Sequence, residues 1–300
     1  MNTSTRRQRP LALACLLALA GALLAGCAHR EPADGAARKE TAFAVTVSHE
    51  LVSFNAGQPG RLLSRRQLIG LADGEKLVGI DFRVARGQLF ALSDRARLYR
   101  IDTESATLAP VGSGIGTALS GTRFGFDFNP TVDRIRVVSD SGQNLRVHPD
   151  TGGVVDSDPQ SAGLQLDGPL AYVPGDPNAG QAPRVIAAAY TYNKENEKIT
   201  TNYALDAQTA SLVVQGSIEG STPVVSPNTG RLRTVGPLRA GAFDQAAFDI
   251  SDLTNTGFAA LTRTGARESQ WYLIDLATGR ATGLGTIGAG AAVVGVAIEP

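Results

Sequence analysis

"GIDFRVARGQLFALSDRARLYRIDTESATLAPVG", residues Gly79 to Gly112, decides the fold. Apolar pairs and triplets alternate with RG, DR and TESA, so the stretch reads as four short strands joined by tight turns. A lone meander of this kind has two bare edges and two faces to bury, and the rest of the chain must cover them. Aligned against it, the chain yields further copies. "GFDFNPTVDRIRVVSDSGQNLRVHPDTGGVVDSD" begins 46 residues later, at Gly125, and longer-turned copies begin at Pro169 and at Ala246. The shared anchors are a first strand such as GIDF, GFDF or AFDI and a third strand such as LYRID, YALD or YLID. A spacing of about 45 residues per four-strand unit is that of β-propeller blades.

The chain ends complete the count. "VVGVAIEP", Val293 to Pro300, is a first strand with nothing after it, and Thr41 to Gly70 reads as strands two, three and four with nothing before them. Joined, they make a fifth blade that closes a ring, and each blade is then covered by its two neighbours. The expectation is an all-β, five-bladed β-propeller over residues 41–300, closed by pairing of its N- and C-terminal strands. A β-sandwich would alternate too, but it does not explain a repeat whose missing quarter sits at the opposite end. Glu219 to Gly236 exceeds the template and is expected to form an extra hairpin or long loop on the unit that begins at Pro169.

The first segment is separate. Arg6, Arg7 and Arg9 precede the apolar run "LALACLLALAGALLAG", too short for a membrane span and typical of a secretion signal. It ends in "LAGC", Leu24 to Cys27, which resembles the lipobox of bacterial lipoproteins. That resemblance implies a signal peptide over 1–26 and a lipid-bearing, palmitate-type acylated Cys27, followed by a polar tether over 27–40. The alternative is an ordinary signal peptide or uncleaved anchor with a chance cysteine. Cleavage removes three arginines and no acids, taking the formal charge from 0 to −3. Cys15 goes too, so disulfides, zinc thiolates and cysteine nucleophiles are excluded. A chain without basic excess also lacks the means to bind nucleic acid. Ala28 stands where, by analogy with lipoproteins, an aspartate would retain the chain at the inner membrane. The expected location is the outer membrane, with the domain facing the periplasm.

"GTRFGFDFNPTVDRIRVVSDSGQNLRVHPDTG", Gly121 to Gly152, together with "LYRIDTESATLAPVG" and "WYLIDLATGRATGLGTIG", resembles the domain-of-unknown-function family 4394. The resemblance runs from about Leu51 onward. It implies a secreted, propeller-like fold and carries no catalytic residues, so function rests on the residues themselves.

"GSGIGTALSG", Gly112 to Gly121, has the glycines of a phosphate loop, but a strand follows it where such a loop needs a helix. With "GLADGEKLVG" and "GTIGAGAAVVG" it reads as a linker between blades. His29, His49 and His148 have no spacing that suits a metal site or a triad. "DSGQN", Asp140 to Asn144, has turn-forming residues, with a ligand contact as the alternative.

The best constellation lies on the first strands. Asp81, Asp127 and Asp249 share one register, with Ala171 and Ala297 in the other two units. First strands line a propeller's channel, so three carboxylates approach one axis. They are repulsive unless a cation, an arginine or protonation relieves them. Three roles stay open: braces that accept amide hydrogen bonds from the next blade, a site for an ion such as calcium, and a glycosidase-like acid pair. Arg83 and Asn129 stand two residues along, placed to bridge the acids, as Glu299 does beside Ala297. Trp271 lies within a strand, so stacking platforms for carbohydrate are scarce. The sequence therefore favours a lipid-anchored, non-enzymatic propeller that binds a partner, glycan or ion without a cofactor. A carboxylate-based hydrolase is the alternative.

Overall fold

The computed structural model describes residues 1–3 and 35–300. The lipobox, Cys27 and the start of the tether lie outside the described residues. Among the described residues no helix is long and apolar enough to cross a membrane.

Five antiparallel sheets form the blades of a propeller. Blade 1 runs, from the axis outward, through β20 (Val293–Ile298), β1 (Thr41–Thr46), β2 (Glu50–Asn55) and β3 (Leu62–Gln67). Blade 2 follows with β4 (Leu77–Arg83), β5 (Gln88–Ser93), β6 (Leu98–Ile101) and β7 (Leu108–Val111). Blade 3 has three strands, β8 (Phe124–Asn129), β9 (Arg134–Ser139) and β10 (Asn144–Val147). Blade 4 comprises β12 (Val185–Tyr190), β13 (Asn202–Asp206), β14 (Ser211–Gln215) and β15 (Arg231–Pro237), with the two-residue β11 (Ala171–Tyr172) added parallel to β15 at the outer edge. Blade 5 contains β16 (Gln245–Ile250), β17 (Gly257–Thr262), β18 (Gln270–Ile274) and β19 (Ala281–Thr286).

Ring closure is as the termini imply. β20 pairs antiparallel with β1, Ala42 opposite Ile298 and Val45 opposite Gly295. The three glycine-rich connectors all link one blade's last strand to the next blade's first.

Blade 4 differs from the sequence reading. Its inner strand is β12, not the PLAY stretch, so the register partner of the aspartates is Ala189 and Ala171 sits at the rim. Glu219–Gly236 is not an extra hairpin: after a loop it supplies most of the blade's outermost long strand, β15. Blade 3 lacks a fourth strand: a single bridge between Val147 and Val154 stands in its place.

The inner strands bury both faces because each packs against neighbouring blades, and their apolar runs are correspondingly continuous, whereas outer strands such as β3 and β19 are largely exposed or half-buried. β12 and β16 are buried along their whole length. Between blades 5 and 1, fully buried Trp271 stacks on Phe258 at 5.5 Å, meets Phe54 edge-on, and donates its indole N–H to the Ala56 carbonyl at 2.9 Å. Burial on this scale makes Trp271 a core residue.

The chain before β1 is docked as well. Arg38 lies over the Phe258 ring and exchanges backbone bonds with the Asn55 side chain, while buried Glu40 accepts from Thr254 at 2.6 Å.

Removing Val293–Pro300 strips blade 1 of its inner strand and bares the edge of β1. The shortened chain is expected to lose its cooperative thermal transition by circular dichroism and calorimetry. A transition matching that of the intact chain would exclude closure through β20.

Candidate functional site

The five inner strands meet around an axis that is pinched by small residues. A Cβ on Gly79 would lie 2.5 Å from the Phe126 Cβ, one on Gly125 2.6 Å from the Ala188 nitrogen, and one on Gly295 2.8 Å from the Ile80 nitrogen. With Ala187 and Ala247 these glycines line a void of about 10 Å³, which holds no more than a single water.

Two residues further along each strand, the structure brings Asp81, Asp127 and Asp249 together. One carboxylate oxygen from each lies within 4.8 Å of the others, and all three residues are buried. Each reaches across to the neighbouring blade. Asp81 Oδ2 accepts the Phe128 N–H at 2.7 Å, Asp127 Oδ1 the Tyr190 N–H at 3.0 Å, and Asp249 Oδ2 the Ile298 N–H at 2.5 Å. These are joints from blade 2 to 3, from 3 to 4 and from 5 to 1. Asp249 Oδ1 also accepts the Ile250 N–H at 2.6 Å. The remaining two joints carry Ala189 and Ala297.

The electrostatics follow from this crowding. Burial, with the Asp249 charge second, pushes Asp81 well above the usual carboxylate range. Burial, then the charges of Asp81 and Asp249, does the same to Asp127. Burial raises Asp249 to about 7, opposed by the Ile298 and Ile250 amides. At neutral pH the cluster therefore holds protons, which relieves the repulsion. Three oxygens at this separation are within reach of one hard cation, but calcium takes six to eight, and alanines fill the other two register positions.

The neighbours assigned from sequence do not bridge the acids. Arg83 turns outward to Asp133, through two bonds, and to Asp150 Oδ1 at 2.6 Å. Asn129 Oδ1 caps the Thr131 N–H and hydroxyl, and Glu299 is exposed. Their position on the same strand face places them at the mouth, where the channel has widened. Tyr192, with no mark in the sequence beyond following β12, takes that place. Burial and the surrounding carboxylates push its phenol well above the ordinary range. Tyr192 and Asp252 line a cavity of about 310 Å³ at the mouth, and Asp252 Oδ1 is buried there without a hydrogen-bond partner.

Of the other candidates, Asp140 is spent on its own turn, accepting from Thr122 and Arg123. His148 Nδ1 accepts the Asp150 N–H, and His49 sits in a turn at positive φ.

Residues 50–297 match the family described as Domain of unknown function (DUF4394). The chain belongs to that family. No curated protein matches it. Among solved structures, this DUF4394 chain is similar to hydrazine synthase of Kuenenia stuttgartiensis, at 13% identity and a TM-score of 0.38, over 73% of this chain and 53% of that one. It is similar to a protein of unknown function from Bacteroides thetaiotaomicron at 15% identity and a TM-score of 0.45, over 80% and 56%. It is also similar to the Dos1 propeller at 10% identity and a TM-score of 0.36, over 81% and 61%. The chain thus spans between about half and three-fifths of the length of these structures.

Two measurements probe the axial acids. Asp249→Ala orphans the Ile298 and Ile250 amides and is expected to cost about 1–3 kcal/mol by denaturant unfolding; an unchanged midpoint would show that the joint carries no load. The pH response is the second. As pH rises from the ordinary aspartate value of 3.8 through the folded value of about 7 for Asp249, the unfolded chain gives up protons that the folded cluster keeps. The contribution of the cluster is therefore fully present at low pH and declines across that window. Asp127→Asn keeps an oxygen for the Tyr190 N–H and removes a charge. It is expected to flatten the decline and to raise the melting temperature near pH 8, and a steeper decline in the variant would contradict the protonated cluster.

Proposed function

We propose that the protein is a non-enzymatic binding propeller of the cell envelope, held at the outer membrane by lipid on Cys27 and facing the periplasm. The observation that carries the non-enzymatic part is the use of the axial carboxylates. Each gives at least one oxygen to a backbone N–H of the next blade. All three are buried, and the void beside them on the axis, about 10 Å³, has no room for a sugar ring. The acids are structural joints, and the roomier cavities lie away from them, at the mouth and between blades. The "LAGC" sequence ahead of the docked Arg38–Glu40 segment supports the anchor.

Purified protein incubated with a panel of chromogenic glycosides is expected to turn none over; hydrolysis abolished by Asp127→Asn would instead establish the hydrolase. For the anchor, Cys27→Ser is expected to move the protein from the detergent-extracted membrane fraction to the soluble or unprocessed one. A processed variant that still needs detergent would falsify lipidation at Cys27.

A further inference from the structure

The interface between blades 3 and 4 is built unlike the other four. Among the described residues its apolar layer holds eight buried residues, against twelve to seventeen in the others. Polar side chains take the remaining space. Buried Arg136 donates through Nη1 to Asp167 Oδ2 at 2.6 Å and Asn144 Oδ1 at 2.8 Å, and through Nη2 to Asn228 Oδ1 at 2.6 Å. Its Nε donates to the Tyr190 hydroxyl at 3.2 Å.

This network fixes the orientation of three amides. Asn144 Oδ1 accepts from Arg136, so it also accepts from Gln215 Nε2, at 3.0 Å, and that nitrogen donates to the Pro227 carbonyl at 2.7 Å. Gln215 therefore turns Oε1 to Asn202, which must donate its Nδ2 at 3.2 Å. Asn202 Oδ1 is left buried, on a residue only 1% exposed, with no donor. A buried acceptor in this state is costly.

A cavity of about 480 Å³ has Asn202, Gln215 and Arg136 in its lining. Blade 3 and the loop between β14 and β15 bring exposed apolar side chains to it: Val132, Ile218 and Val224, the last 81% exposed. Arg134 and Lys198 also line it. Arg134 bonds only carbonyls, those of Val132 and Asp133, and neither cation has a carboxylate partner among the described residues. Asp167 is already shared by Arg136 and Arg146, and both oxygens of Glu219 accept from Thr191 and Asn193.

We propose that this cavity binds the free carboxyl end of a short peptide, or of a peptide-like chain, that terminates in an apolar residue. The carboxylate meets Arg134 and Lys198, and the terminal side chain lies against Val132, Ile218 and Val224. A sugar fits less well: Tyr190, the aromatic residue in the lining, has its hydroxyl committed to Arg136, and Trp271 is buried in another interface. The inference rests on the reading of the protein as a non-enzymatic binder and gives that binder a site and a ligand class.

The test titrates the full-length protein in detergent with N-acetyl-Ala-Ala-Leu, as free acid and as carboxamide, by calorimetry and by proton NMR of the peptide. The acid is expected to bind, with the amide at least about tenfold weaker. Arg134→Ala and Lys198→Ala are each expected to bring the acid toward the amide without lowering the melting temperature. Val224→Ser is expected to weaken both peptides alike. Equal affinity for acid and amide, or binding of neither at millimolar concentration, overturns the proposal. Binding of glucuronate that the same variants abolish, with the peptides inert, overturns the ligand class. Cleavage of bound peptide, seen as new resonances over hours, overturns the non-enzymatic reading and leaves the cavity assignment standing, whereas an intact, unbound peptide removes the cavity assignment alone.

Discussion

The ring depends on the joint between neighbouring inner strands, where a buried carboxylate accepts a backbone N–H from the next blade. Strands at the centre of a propeller lie side by side without forming one continuous ladder, so amides facing the axis have no natural partner. An unpaired buried N–H is expensive, and a carboxylate placed one blade back satisfies it. The same placement drives three acids toward one another. Glycine and alanine above them allow the close approach, protonation removes the repulsion, and Tyr192 covers the mouth. Channel geometry, charge state and closure are thus three aspects of one arrangement.

Two joints, at Ala189 and Ala297, do without an acid. The blade 1 to 2 interface is held by its apolar layer, in which Phe43 packs edge-on against Phe82 at 5.7 Å. Blades 4 and 5 are joined in the same way, through the largest apolar cluster, around Leu205, Phe248 and Leu261. Between blades 3 and 4 the acid joint at Asp127 is present and the apolar layer is thin. The thin layer leaves space for a polar network and for a cavity above it.

The inner strands of blades 2, 3 and 5 were legible because GIDF, GFDF and AFDI combine a small residue, an acid and an aromatic at fixed spacing. VIAAAY in blade 4 keeps an aromatic at Tyr190 but has lost the acid, and the PLAY stretch offers the same alanine–tyrosine pair at the spacing the repeat predicts. Ring closure was legible because its missing quarter is a matter of counting. The orientation of Arg83 was not, since strand periodicity gives a side chain's face but not which of two neighbouring charges it will meet, and Asp133 and Asp150 lie on turns far along the chain. The Arg136 network was likewise hidden. It joins residues from Arg136 to Asn228 through side-chain contacts that follow no period. Asn144 was the one member already marked, as the last residue of a turn-like DSGQN.

Blade 1 is assembled from strands that lie at opposite ends of the described chain. β1 and its buried residues are made early, yet their partner begins only at Val293. Throughout synthesis, then, β1 presents a free edge of unpaired backbone groups flanked by apolar side chains, the kind of surface that recruits other chains. The other blades are consecutive in sequence and can complete themselves as they emerge. A nascent chain of this protein carries a sticky seam for nearly its whole length, and β20 heals it.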